Sequence, residues 1–274
     1  MRWHVNHPFG WAHLDGVDPE ADRAEWFAWL QHGLDDTELA IQACERLGMY
    51  MIIDLPGTPG NRNENGVPNL IFNEDFREIF LEAAARIRAA DPGRTLVYEP
   101  PEYAGSHAFL YMEPLPIDNV IYSVHMYSPL AFTHQFQTGV PTVYPGTTEV
   151  SDWEREAMGL SNDSTPREIY WDKSALTAVL APVRRFQEHF DVPIWVGEFS
   201  AVRWAPDNSA YRYIRDCIEL FEEYGWDWTY HTYRSSHFWS VEHTTDEWNY
   251  EPAEETTDRE LLLAEAFSLN EHPR

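Results

Sequence analysis

The stretch VPIWVGEF (192–199) decides how the rest of the chain is read. Its apolar residues run almost unbroken, as they do in a strand covered on both faces of a parallel sheet. A carboxylate, Glu198, stands near its C-terminal end, the edge on which parallel α/β folds carry their chemistry. Four more runs have the same form: MYMIIDL (49–55), TLVYE (95–99), NVIYSVHMY (119–127) and WDWTYHTY (226–233). Polar groups collect where these runs end, at Asp54, Glu99, His125, Tyr127 and His231.

Helical periodicity fills the intervals. Phe76, Ile79, Phe80, Ala83 and Ile87 follow the series i, i+3, i+4, i+7, i+11, and Pro92-Gly93 stops it. Leu176, Val179, Leu180 and Val183 form a second stripe, and Ile214, Cys217, Ile218 and Phe221 a third. Gly48 and Gly225 sit where helix hands over to strand. Apolar strands alternating with amphipathic helices predict a parallel α/β fold. Polar residues spread over several strand ends favour a barrel over a doubly wound sheet, in which they gather at one switch point. No glycine-rich phosphate loop follows any strand, so no nucleotide cofactor is expected. With no linker or repeat in view, residues 1–274 read as one domain, with an extended loop over 128–172.

Charge narrows the partners. The 274 residues carry 19 Lys+Arg against 46 Asp+Glu, a net charge of −27. A surface of that sign repels nucleic acid and anionic membranes, and no apolar run reaches the roughly 20 residues of a membrane span. Acidic residues are spread along the chain and Lys173 is the single lysine, which suits a protein kept hydrated in concentrated salt. Cys44 and Cys217 fall in helical stretches and read as buried thiols. The N-terminal residues have no signal-peptide pattern, so the expected location is the cytoplasm, or outside the cell after removal of a leader.

Aromatic residues make up 15% of the chain. Flat rings are suited to the apolar faces of sugars and equally to a large core. Trp3, Trp11, Trp171, Trp204 and Trp239 lie at or after strand ends, where they can line sugar subsites. A strand-end glutamate among His, Tyr and Trp side chains fits the nucleophile of a retaining glycosidase, which works with a second carboxyl about 5–5.5 Å away. A tyrosine hydroxyl beside that glutamate keeps it ionised. The structural alternative is an ion pair from Glu198 to Arg203. His231, His237 and His243 recur every six residues, a spacing that matches no compact metal motif, and no metal site is expected.

Taken together, MRWHVNHP (1–8), ACERLGMYMIIDL (43–55), NVIYSVHMYSPLAFTHQ (119–135), WDKSALTAVLAPV (171–183), VPIWVGEFSAVRWAP (192–206) and LFEEYGWDWTYHTYRSSHFWSVEH (220–243) resemble glycoside hydrolase family 5. This is the cellulase and β-mannanase family of (β/α)8 barrels. The resemblance implies retaining hydrolysis of a β-linked glucan or mannan with no cofactor. It makes Glu198 the nucleophile, His125 and Tyr127 the H-x-Y pair of the preceding strand, and Arg2 the arginine beside the nucleophile. Trp204, His231 and Trp239 are candidate substrate contacts from their positions at or after strand ends rather than from the resemblance.

Departures accompany the match. The family's acid-bearing Asn-Glu-Pro tripeptide does not occur, and six strand candidates stand where the family has eight. Asp54-Leu55-Pro56 replaces an Asp-Leu-His, and Ser235-Ser236 occupies the place of an acidic-aromatic pair. Glu99, in Tyr98-Glu99-Pro100, is the remaining candidate for the general acid. Glu102 lies farther into its loop. Two further readings follow: a sugar-binding pseudoenzyme on the same scaffold, and a homo-oligomer whose copies complete each other's barrel.

Overall fold

The computed structural model describes residues 2–4, 35–36, 38–48, 52–54, 73–100, 102–160, 166–232, 234 and 236–270. The chain divides into two compact units, residues 1–76 and 77–274. In the first, strand β1 (Arg2–His4) pairs in parallel with β2 (Ile52–Asp54), His4 opposite Asp54. Helix α1 over 38–47 buries Ala40 and Cys44, four residues apart on one face, and ends at Gly48.

The second unit is built on a four-stranded parallel sheet. Helix α2 (Asn73–Ala90) leads into β3 (Leu96–Tyr98), followed by β4 (Val120–Met126), β7 (Ile194–Phe199) and β8 (Asp227–Trp228). The strands lie in the order β3-β4-β7-β8 with every pairing parallel. Their interior residues are apolar because helices cover the sheet: Val124 and Val196 are wholly buried. Helix α6 (Lys173–Phe190) buries Leu176, Val179, Leu180, Val183 and Phe186. Helix α7 (Ser209–Tyr224) buries Ile214, Cys217, Ile218 and Phe221, so both cysteines are buried thiols. Gly225 ends α7 at φ +67, a left-handed conformation that a Cβ would strain.

Three expectations need correction. On α2 the inward stripe is shifted by one position: Ala84 is buried while Ala83 and Ile87 are exposed. The cause is visible at its ends, where Arg77 donates to the Glu113 and Pro114 carbonyls and Arg88 to those of Asp118 and Asn119. Those bonds turn the 77-80-84-88 face inward, and Phe80 meets Tyr98 edge-to-face at 4.9 Å. Residues 128–172 are not an extended loop. They hold short helices α3 (Leu130–Thr133), α4 (Gln135–Thr138) and α5 (Asp152–Ala157), and an antiparallel pair, β5 (Gly146–Glu149) with β6 (Glu168–Trp171). Ser151 and Glu154 cap α5 reciprocally. Trp171 is 1% exposed and belongs to the core, not to a sugar subsite.

Candidate active site

The site forms on the C-terminal edge of β3, β4 and β7. Glu99 follows β3, Ser123 and His125 lie two apart on β4, and Glu198 lies on β7. Alternation alone would separate them. Val124 pairs with Val196, yet His125 pairs with Glu198, because Gly197 is bulged out of the ladder. With Gly197 kept in the ladder, Glu198 would stand opposite Met126 and point to the Val196 face of the sheet. The bulge re-aims it toward His125.

Gly197 is required for a second reason. A Cβ there would fall 2.6 Å from Ser123 Oγ, 2.9 Å from Glu99 Oε1 and 3.2 Å from His125 Nε2. Backbone approaches the site this closely only where no side chain intervenes. Thr229, just past β8, donates its hydroxyl to the Gly197 carbonyl at 2.7 Å and holds the bulge in place.

The two carboxylates share one imidazole. His125 Nε2 lies 3.0 Å from Glu99 Oε1, and Nδ1 lies 3.7 Å from Glu198 Oε2. Ser123 also donates to Glu99 Oε1, at 2.9 Å. Tyr127 donates its hydroxyl to Glu198 Oε2 at 3.0 Å. Burial first, and then the Glu198 charge, push the Tyr127 phenol well above its ordinary value, so it remains a donor. The carboxylates are partly open: the Glu99 and Glu198 side chains are 29% and 18% exposed.

Aromatic rings wall the β7–β8 side. Trp239 stands 6.2 Å from Tyr127, 5.3 Å from His134 and 5.4 Å from His231. Its buried indole N–H has no hydrogen-bond partner among the described residues. His134 is pushed down to about 4, chiefly by burial and secondarily by His231, and serves as a neutral ring. Trp204 packs on Phe238 at 5.4 Å, one ring removed from Trp239. The structure therefore brings Glu99, Glu198, His125, Tyr127, His231 and Trp239 into one cluster, with Trp204 at its margin. Arg2 opens β1 in the other unit, and its side chain lies outside the described residues. Sequence reasoning missed Ser123 and His134. The first was legible as the residue two before His125 on the same strand face, the second only from packing.

Arg203 is not the partner of Glu198. It is fully buried and spends all five N–H donors on main-chain carbonyls, those of His237, Thr244, Asp246, Glu247 and Asn249. Burial, then Arg259, holds its guanidinium below the ordinary value. The clamp fixes the excursion that delivers Trp239. Replacing Arg203 by Met keeps the stem and orphans the carbonyls, so stability falls by about 3–5 kcal/mol. A lower denaturant midpoint at unchanged slope is the expected reading, and an unmoved midpoint would show that water takes over the carbonyls without loss. His237 and His243 take separate partners: His237 packs on Tyr250, and His243 bonds Ser240 and the Tyr250 carbonyl. Among the described residues no group of three or more His, Cys, Asp or Glu side chains could hold a metal ion.

Comparison with known proteins places the chain in a family. The cellulase family, glycosyl hydrolase family 5, matches residues 56–237. Endoglucanase C of Acetivibrio thermocellus is 20% identical over 278 residues, covering 83% of this chain and 79% of that protein. Cellodextrinase A of Ruminococcus flavefaciens is 21% identical over 238 residues, covering 72% and 66%. Endoglucanase Cel5A of Thermotoga maritima superposes with a TM-score of 0.55 at 22% identity, over 96% of this chain and 70% of that one. That likeness gives the fold, a (β/α)8-barrel type of which this chain carries six parallel strands among its described residues. Against other glycoside hydrolase structures the chain spans as little as 48% of their length. The chain belongs to the cellulase family, glycosyl hydrolase family 5.

Proposed function

We propose that the protein is a retaining glycoside hydrolase of β-linked glucan, with Glu198 as nucleophile and Glu99 as general acid and base. The observation that supports this pairing is the His125 ring on β4, which stands between the two carboxylates of the flanking strands β3 and β7, 3.0 Å from Glu99 on one nitrogen and 3.7 Å from Glu198 on the other. Glu198 attacks the anomeric carbon while the glycosidic C–O bond breaks, and Glu99 gives its proton to the departing oxygen. The glycosyl ester so formed is opened by a water that Glu99 deprotonates, freeing Glu198. Tyr127 stabilises the carboxylate form of Glu198, and the partly exposed Trp239 offers a ring face to the sugar.

The kinship to Endoglucanase C and cellodextrinase A supports a β-glucan over a mannan as substrate. The test is reducing-sugar release from a soluble β-1,4-glucan, with proton NMR of the first product. The expected result is release with the β-anomer formed first. Release with the α-anomer first would overturn the retaining mechanism, and glucan binding without release would make the protein a sugar-binding relative that performs no chemistry.

A further inference from the structure

Trp248 is 75% exposed, the most exposed tryptophan among the described residues, and Tyr250 two positions on is 57% exposed. Neither stands on a loose loop. The Thr244, Asp246, Glu247 and Asn249 carbonyls around them are the ones Arg203 holds. The Trp248 amide bonds Asp246 Oδ1 at 3.0 Å, and the Glu251 amide bonds Asn249 Oδ1 at 3.0 Å. His243 bridges to Pro252, and Arg259 donates to the His243 carbonyl from beneath. A buried cation with no carboxylate partner, bound only to backbone, is a large commitment to the shape of a surface loop whose display is two aromatic rings.

The Tyr250 ring connects to the candidate active site. Trp239 contacts Phe238 at 6.1 Å, Phe238 contacts His237 at 4.4 Å, and His237 meets Tyr250 edge-on at 4.6 Å. All three inner rings are partly exposed, so an aromatic track runs from the carboxylates to the loop tip. Its rim carries Asp246, Glu247 and Glu251, hydrogen-bond acceptors that repel anions and accept from hydroxyls. The loop lies C-terminal to the residues 56–237 that match the family.

We propose that Trp248 and Tyr250 form an accessory platform for the chain of a neutral β-glucan, beyond the sugars that occupy the carboxylate site. The proposal rests on the hydrolase reading above and adds to it a preference for long chains. A ring fixed before binding loses little freedom on contact, and each stacked sugar adds affinity without touching the chemistry.

The test uses the full chain and two substituted forms, Trp248→Ala and Tyr250→Ala. Affinity electrophoresis in gels containing barley β-glucan reads polymer binding, and an aryl β-cellobioside reads chemistry on a ligand too short to reach the platform. Trp248→Ala is expected to bind polymer roughly tenfold more weakly, Tyr250→Ala similarly, both with unchanged kcat/KM on the aryl glycoside and unchanged unfolding midpoints. Polymer binding equal to the unsubstituted protein, with the aryl glycoside still cleaved, overturns the platform alone. A sedimentation shift from dimer to monomer on Trp248→Ala overturns it in favour of contact between copies. If the unsubstituted protein neither binds glucan nor cleaves the aryl glycoside, the hydrolase reading falls and the platform with it.

Discussion

Replacing Glu198 by Gln lowers turnover of an aryl β-cellobioside by roughly 10⁵-fold, since the covalent route loses its nucleophile. The substitution is nearly isosteric and leaves an oxygen to accept from the Tyr127 hydroxyl, so folding is expected to survive, with an unchanged thermal midpoint. Glu198→Gly supplies the sharper measurement. With the carboxylate gone, azide can occupy its place and attack the anomeric carbon directly, restoring activity and leaving an α-glycosyl azide. A β-azide product, or a loss below about tenfold in the Gln form, would assign the nucleophile elsewhere.

Glu99→Gln is expected to have the second largest effect, and one that depends on the leaving group. Loss of proton donation costs about 10²–10⁴-fold on alkyl or sugar leaving groups. Activated phenols need no proton, so their bond cleavage is spared. The measurement is kcat/KM across a series of aryl β-cellobiosides of graded phenol acidity. A steep dependence in the Gln form and a shallow one in the unsubstituted protein identify the acid. Equal losses across the series would make Glu99 a positioning residue that fixes the His125 ring through the 3.0 Å contact.

Much of this was legible in the sequence because strand apolarity is a strong signal. VPIWVGEF, NVIYSVHMY and TLVYE become β7, β4 and β3, neighbours in one parallel sheet, and the polar residues at their ends converge as a strand-end reading requires. The proximity of Glu99 to Glu198 was harder to see. It depends on β3 pairing directly with β4 and on a bulge at Gly197, and a one-residue irregularity leaves no periodic trace. The role of Arg203 was not legible: a strand-following arginine near a glutamate offers an ion pair as the alternative reading, whereas carbonyl partners 34–46 residues away have no side-chain signature at all. The segment 128–172 hid its antiparallel strand pair for a similar reason: β5 and β6 are four residues each, too short to establish an alternation.

The Arg203 clamp has a consequence for how this protein can change. Every bond it makes ends on a peptide oxygen, a group that all residue types possess. The loop's shape is thus written at position 203 and in the Asp246 and Asn249 side chains, while the rings it displays stand at positions 248 and 250. Substitution at those two positions can change what the loop presents and leave its supports in place, and the reverse exchange is closed: one change at the arginine would disturb every variant of the loop at once. Shape and specificity are inherited separately here, which makes the excursion a place where new preferences can be tried at little structural hazard.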